Sequence, residues 1–259
     1  VVAPREGAWI EITSDMGADE AAAAMDVLTR KAREMGAATQ FSATEAAKAF
    51  EYMGMAGWNT EQMISGIAPV LNLALASGED LAKVSDIVTD AMTALHIDTR
   101  GADATKNIEH FTDVLAAAAT HSNTNVGMMG EAFKYAAAPA GLFASAYENA
   151  ADVSNDVALA LGLMANTGIK ASQAGTALRA TLTRMGADTI PTANAMNMLG
   201  VSITQVGKDG TEQLKPLRSI FDDLRAKMKD GISAEGLIDY AEALSDSKTR
   251  NKAVLTDFA

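Results

Sequence analysis

The chain has 259 residues, of which 48% are apolar and only 5% aromatic, with no cysteine and a formal net charge of −12. This length is enough to bury a sizeable core, and the lack of cysteine excludes disulfides and thiolate chemistry. Residues 36–168 hold five Lys/Arg against fifteen Asp/Glu, and such an acidic surface repels phosphate, so we expect no specific binding of DNA or RNA.

The first residues do not continue the pattern of the rest. Val1 to Ile12 resemble a conceptual translation of a bacterial CRISPR direct repeat, which would make them a scar of assembly or gene prediction. A natural short strand around Trp9 and Ile10 is the alternative. We therefore treat residues 1–15 as a non-native or disordered leader. Because the chain does not begin with Met, we expect it to be part of a longer protein.

From residue 19 onward the apolar residues recur with the period of an α-helix. The pattern predicts a first helix over 19–35, ended by Gly36. Ser42 and Glu45 have the spacing of a capping box, which predicts the start of a second helix, closed by Gly57.

Asn59 and Gln62 have the same capping spacing and open a third helix, which Gly78 ends. Pro69 lacks a backbone N–H, so we expect it to kink or divide this helix. Residues 79–95 form the most clearly amphipathic segment of the chain.

Helices are next predicted over 104–120 and over 126–138, the second of them stopped by Pro139 and Gly141. Ser145 and Glu148 form another capping-box pattern, which predicts a helix over 146–166. A further amphipathic helix follows Gly168, over 170–186.

Two stretches of the chain are similar to each other. Ala49-Phe50-Glu51-Tyr52 corresponds to Ala132-Phe133-Lys134-Tyr135, and Leu75-Ala76-Ser77-Gly78 corresponds to Ala165-Asn166-Thr167-Gly168. The correspondence suggests two units of three helices each. Similar composition, without duplication, would explain it equally well.

Beyond residue 190 the pattern changes. Residues 200–215 alternate and contain the turn signal Lys208-Asp209-Gly210, so a small β-hairpin is predicted there. Helices are predicted to resume over 217–229 and 233–245. We expect an all-α fold, an array of short amphipathic helices with Gly and Pro breaks, divided into a helical region over 16–190 and a mixed, truncated segment over 191–259.

The groups that could carry chemistry do not form a recognisable site. His96, His110 and His121 lack the spacing of a zinc site, and adjacent Asp222 and Asp223 point in different directions on a helix. The segment from Gly200 to Asp209 lacks the spacing of a phosphate-binding loop and the Ser or Thr that would hold magnesium. We expect no catalytic, cofactor-binding or metal-binding residues, no cofactor, and no enzyme activity.

Four glycines lie inside predicted helices, where each costs about 1 kcal/mol relative to alanine. They are Gly54, Gly66, Gly162 and Gly175. A cost repeated four times predicts close helix crossings or built-in bends at these positions.

Several phrases in series resemble the core region of phage tail tape measure proteins over about residues 20–190, and more weakly to residue 259. They are Phe41 to Ala47 with Ala56-Gly57-Trp58, Leu73 to Ala82, Ser122 to Val126, and Gly168 to Arg179. Ala171 departs from the family, which often has glycine there.

The resemblance implies a structural protein of long-tailed phages or prophages that sets tail length while the tube assembles and leaves the tube at DNA ejection. It implies a place in the lumen of the virion tail, and in the host cytoplasm during assembly. The implied partners are the tail tube, tail-tip or baseplate proteins, tail assembly chaperones and sister copies.

Frequent Gly and Pro breaks argue against a continuous coiled coil, so we expect a compact module beside the ruler shaft. Two alternatives remain open. One is a helical membrane-active component of a phage-like injection apparatus, although no apolar run reaches the roughly 18 residues of a membrane span. In that case membrane contact would come through parts outside this chain. The other is an uncharacterised helical enzyme.

Overall fold

The computed structural model describes residues 17–186, 196, 199–206 and 210–229. Within them the chain forms an array of α-helices followed by a small antiparallel hairpin. The helices are α1 (Ala18–Ala38), α2 (Ala43–Met55), α3 (Thr60–Ser77), α4 (Leu81–Ala94), α5 (Ala104–His121), α6 (Val126–Gly141), α7 (Val153–Asn166), α8 (Ala171–Gly186) and α9 (Leu217–Lys229). Strands β1 (Thr204–Val206) and β2 (Glu212–Leu214) pair with Thr204 opposite Leu214. The predicted all-α fold with a hairpin is confirmed.

Several predictions lie outside the described residues. These are the leader over 1–15 with its first twelve residues, the helix over 233–245, the truncated end of the chain, and residues 207–209 of the hairpin turn. They stay predictions.

Local side-chain caps fix where the early helices begin. Ser42 Oγ accepts a hydrogen bond from the Glu45 N–H at 3.2 Å, and Glu45 Oε2 accepts one from the Ser42 N–H at 2.7 Å. The hydrogen bonds from the backbone and hydroxyl of Ser42 hold the pKa of Glu45 below its usual range. Asn59 and Gln62 make the same reciprocal pair at the start of α3. Both predicted capping boxes are confirmed.

Two predicted helix ends are wrong, and Pro69 does not divide its helix; a kink at Pro69 stays a prediction. α1 passes through Gly36 to Ala38, and α3 and α6 pass through Pro69 and Pro139 without a break. A Cβ at Gly36 would lie 2.6 Å from the Ala43 backbone nitrogen, so this glycine lets the start of α2 pack against α1. Each proline removes one helical hydrogen bond, and the apolar residues that the two helices bury on either side of it outweigh that loss.

The predicted capping box at Ser145 and Glu148 is also wrong. Two short 3-10 turns, Ala144–Ala146 and Ala150–Asp152, occupy this stretch, and α7 begins only at Val153. Asn149 accepts from the Ala151 N–H and donates to Asn107 of α5. The local hydrogen bond and the contact with α5 both favour an irregular backbone here over a helix that starts at Ser145.

The helices pack in two rows. In one row α2 packs on α4, α4 on α6 and α6 on α8, and in the other α3 packs on α5 and α5 on α7. Phe111 of α5 and Phe133 of α6 join the rows in an edge-to-face contact, with ring centroids 5.6 Å apart. Both rings are fully buried, so the core runs between the rows.

The two predicted three-helix units are alike in the structure. Helices α2 to α4 form the first and α6 to α8 the second, and in each the first helix packs on the third. Phe50 and Phe133 are both buried, whereas Tyr52 and Tyr135 are each 37% exposed. This likeness supports the pair of units; their origin by duplication stays a prediction.

Ala171 occupies a backbone conformation that favours glycine. Its φ is 49°, in the left-handed region, at the first residue of α8. A left-handed conformation costs an L-residue about 1–2 kcal/mol, which exceeds the entropic cost of glycine. We therefore expect Ala171→Gly to raise the free energy of unfolding by about 0.5–1 kcal/mol, as measured by urea denaturation.

The matched control is Ala177→Gly, at an exposed position in the middle of the same helix. It should lower the free energy of unfolding by about 1 kcal/mol, because glycine is a poor helix former. A loss of stability from both substitutions would contradict the assigned conformation of Ala171.

Candidate functional site

A side chain would not fit without a shift at three of the four predicted glycines. A Cβ at Gly66 would lie 2.5 Å from the Trp58 ring, one at Gly162 would meet the Ser122 hydroxyl, and one at Gly175 would meet the Ala132 carbonyl. Gly54 is buried within α2. A close helix crossing is therefore confirmed at Gly175. Gly66 packs against Trp58 in the loop before α3, and Gly162 packs against Ser122, which follows α5. The crossings or bends expected at Gly54, Gly66 and Gly162 stay predictions.

The contact at Gly175 is the least adjustable of the three. A serine hydroxyl can rotate away, but a Cβ at Gly175 would lie 2.9 Å from Ala132 Cα, an atom of the α6 backbone. On another side of α6, a Cβ at Gly130 would lie 2.5 Å from the Ile87 side chain of α4. Helix α6 is thus held closely by α4 and α8.

A polar cluster connects α9 to the helical array; we call it the clamp. Tyr147 Oη donates to Asp156 Oδ2 at 2.6 Å. The Leu217 N–H donates to Tyr147 Oη, and the Arg218 N–H donates to Asp156 Oδ2, both at 2.9 Å. These N–H groups belong to the first turn of α9, where a helix has no internal acceptor for them.

The electrostatics of the clamp favour these contacts. Asp156 is only 8% exposed, and its carboxylate lies at the positive end of the α9 dipole. Burial and the hydrogen bond to Asp156 raise the pKa of Tyr147, so the phenol stays protonated as a donor. The clamp was not predicted from the sequence, because its partners come from separate segments of the chain.

The histidines singled out in the sequence lie in different surroundings. His96 follows α4 with a φ of 58°, and His121 ends α5. His110 Nε2 lies 3.5 Å from Asp152 Oδ1 and makes no hydrogen bond with the described part of the chain. In the part of the chain that the structure describes, no three His, Asp or Glu side chains are grouped to hold a metal ion.

The other candidate groups from the sequence, the two adjacent aspartates and the glycine-containing segment, do not form a common site either. Asp222 lies 3.6 Å from Arg225, whereas Asp223 pairs with Lys215 at 2.9 Å, so the two carboxylates face different partners as predicted. Gly200 has a φ of 63°, but residues 207–209 lie outside the described residues. The expected lack of catalytic, cofactor-binding and metal-binding residues stays a prediction.

An open groove runs between α3 and α5. It consists of two adjoining cavities of about 340 and 220 Å³ that share Leu73, Ala76 and Ala116. Glu109 and Asp113 line one end of it. The groove was not predictable from the sequence, because it depends on which helices pack side by side.

No helix in the described ranges combines the length and the apolar character needed to cross a bilayer.

Comparison with known proteins shows which family this helical array is similar to. The family model described as "Phage-related minor tail protein" matches residues 29–244. The chain is similar to the tape measure protein of Pneumococcus phage Dp-1, with 34% identity over 75% of this chain and 16% of that protein. It is also similar to the probable tape measure protein of Escherichia phage P2, with 25% identity over 85% of this chain and 25% of that protein.

The chain thus spans a quarter or less of the length of these relatives. No solved structure matches it. The family match covers most of the described helices, from the middle of α1 through α9. The chain belongs to the phage-related minor tail protein family.

Proposed function

We propose that this chain is a segment of a tape measure protein, which sets tail length during tube assembly and leaves the tube at DNA ejection. The observation that carries the proposal is the match of residues 29–244 to the minor tail protein family, together with two relatives named as tape measure proteins. The chain would act without catalysis, in the tail lumen of the virion and in the host cytoplasm during assembly.

Within such a protein, the segment would be a folded module beside the ruler shaft. Its longest helix, α1, has 21 residues, or about 31 Å at 1.5 Å per residue. The helices that follow fold back on one another in two rows, so the module is much shorter than the same residues in one continuous helix. Residues 16–190 would form its body, and residues 191–259 a mixed segment attached through the clamp.

The module would contact tail-tip or baseplate proteins, the tail tube, assembly chaperones and sister copies. Its acidic charge supports a place in the lumen that DNA crosses, because residues 36–168 hold fifteen Asp/Glu against five Lys/Arg. A surface of this sign does not adhere to the phosphate backbone.

Two variants of the complete phage gene test this division of roles. We expect deletion of residues 40–190 to abolish tails or to produce malformed ones, as seen by electron microscopy. Gly175→Leu, which keeps the number of residues, should give the same assembly defect because it disrupts the α6–α8 contact.

Tails of normal form, shortened in proportion to the deletion, would overturn the module and make the segment part of the shaft. Normal tails of unchanged length would overturn any role in assembly. Gly186→Leu is the control, because a Cβ at Gly186 meets no atom of the described residues within 4 Å.

A further inference from the structure

One side of α7 carries apolar side chains that the described residues leave exposed. Leu159 and Leu163, one turn apart, are 47% and 59% exposed. Ala160 and Met164 lie beside them and are half-buried. Apolar residues at this spacing form a continuous stripe, which normally packs against another element. We call these four residues the α7 stripe.

The corresponding side of α3, in the first three-helix unit, is covered. Extended back along the helices, the sequence correspondence between the ends of α3 and α7 places Pro69 at the position of Leu159, and Leu73 at that of Leu163. Pro69 and Leu73 are buried, and they line one wall of the groove whose other wall is α5. Helix α5 therefore covers α3 on the side that is exposed on α7.

The opposite sides of the two helices show the reverse pattern. On α7, Ala158 and Gly162 are buried, and Gly162 packs near Ser122 at the end of α5. Their counterparts on α3, Ala68 and Asn72, are exposed. Helix α5 thus lies between the two, and the second row runs α3, α5, α7. The α7 stripe is on the side where a further helix of this row would pack.

The chain approaches this side of α7 through α9. Asp156 of the clamp, which binds the first turn of α9, lies one turn before Leu159 and Ala160 on the same side of α7. Helix α9 ends at Lys229, and the chain between it and the predicted helix over 233–245 can span about 14 Å. Both helices have 13 residues, or about 20 Å. A helix that turns back beside α9 therefore ends near the α7 stripe.

The predicted helix over 233–245 has an apolar face of its own. Its members share one side at helical spacing: Leu237, Tyr240, Ala241 and Leu244. The opposite side is acidic, with Glu235, Asp239 and Glu242. Isolated helices of about 12–15 residues or fewer are marginal in water, so this segment needs a surface to pack on. The match to the minor tail protein family extends to residue 244, so it includes nearly all of the segment.

We propose that the segment over 233–245 docks as a helix on the α7 stripe of the same chain. It adds a fourth member to the row α3, α5, α7, and its acidic side faces solvent. The stripe is about 7.5 Å long from Leu159 to Met164, and Leu237 and Leu244 are about 10.5 Å apart along their helix, so one segment covers the stripe. The contact does not depend on the proposed function, because both surfaces belong to this chain.

Hydrogen–deuterium exchange of the full 259-residue chain tests the contact. We expect Leu159→Gln with Leu163→Gln to make the amides of 233–245 exchange at least about tenfold faster than in the parent. Glutamine is a good helix former and both positions are exposed, so α1 to α6 should keep their protection. The control carries Met55→Gln and Leu142→Gln, at two exposed apolar positions outside α7, and should leave 233–245 unchanged.

The side of the segment that makes the contact is tested in the same way. Leu237→Gln with Leu244→Gln should remove the protection of 233–245, whereas Asp239→Gln with Glu242→Gln should retain it. Unprotected amides over 233–245 in the parent chain, or protection that the α7 substitutions do not reduce, would overturn the proposal. Protection that increases with protein concentration would assign the stripe to a second copy and would overturn it equally.

Discussion

Gly175→Leu is expected to lower the free energy of unfolding of this chain by about 3 kcal/mol. A Cβ at this position would meet the carbonyl of Ala132 and lie 2.9 Å from its Cα. These atoms belong to the backbone of α6, which cannot turn aside as a side chain can. Overpacking of this kind typically costs about 1–3 kcal/mol, and the longer leucine places the effect at the upper end.

The smaller substitution Gly175→Ala is informative through the sign of its effect on the free energy of unfolding. Alanine is favoured over glycine in a helix by about 1 kcal/mol, so a purely local effect would make Gly175→Ala stabilising. We expect it to destabilise, because even one methyl group separates α8 from α6. Guanidinium denaturation followed by circular dichroism measures both variants.

Gly186→Leu, in the same helix, is the matched control. Among the residues that the structure describes, none lies within 4 Å of a Cβ at Gly186, so the substitution should change the free energy of unfolding by less than about 0.5 kcal/mol. Equal losses at the two glycines would show that α8 does not cross α6 as described.

Features encoded within a few residues were predictable from the sequence. Ser42 with Glu45 and Asn59 with Gln62 each provide both halves of a reciprocal cap, so no distant contact is needed to start their helices. The glycine positions were also informative, because an unfavourable residue inside a helix usually serves a close contact. The hairpin followed from alternation and a turn signal.

Features decided by distant contacts were not predictable. Ser145 and Glu148 have a capping pattern, but Tyr147 and Asn149 bond instead to Asp156 and Asn107. Spacing within one segment cannot reveal such partners, which are 9 and 42 residues away in the chain. The groove was hidden for the same reason, since α3 and α5 pack together across the intervening α4.

The sequence-based predictions also overestimated how strongly an interior proline ends a helix. Pro69 lies within α3 and is buried with Ile67, Val70 and Leu71 beside it. Burial of one such side chain contributes about 1.5–3 kcal/mol, so three of them outweigh the roughly 3 kcal/mol cost of an interior proline. Local propensity therefore predicts a boundary well only where no apolar face continues across it.

The second large effect is expected from a substitution in the clamp. It should be confined to α9. Asp156→Ala removes the acceptor of the Arg218 N–H and of the Tyr147 hydroxyl. Hydrogen bonds to a charged group contribute about 1.5–3 kcal/mol, so we expect α9 to open more easily by about 2 kcal/mol. Its amides should then exchange with deuterium roughly 30-fold faster.

Exchange in α1 to α6 should change little, because these helices do not depend on the clamp. The control is Asp222→Ala, which removes an exposed carboxylate 3.6 Å from Arg225 within α9 itself. Exposed ion pairs contribute at most about 1 kcal/mol, so α9 should exchange less than about fivefold faster. Equal acceleration by the two substitutions would contradict the clamp.

The pH dependence of the clamp gives an independent check on its chemistry. The pKa of Tyr147 is raised in the folded state above its ordinary value of 10.0, so the unfolded chain loses this proton first as the pH rises. The contribution of the phenol is therefore complete below pH 10 and declines above it. Tyr147→Phe should remove that alkaline loss in α9 while lowering protection at neutral pH, because the Leu217 N–H then lacks its acceptor. A phenol that served only to fill space would leave neutral-pH exchange unchanged, so the two readouts separate a hydrogen-bonding role from a packing role.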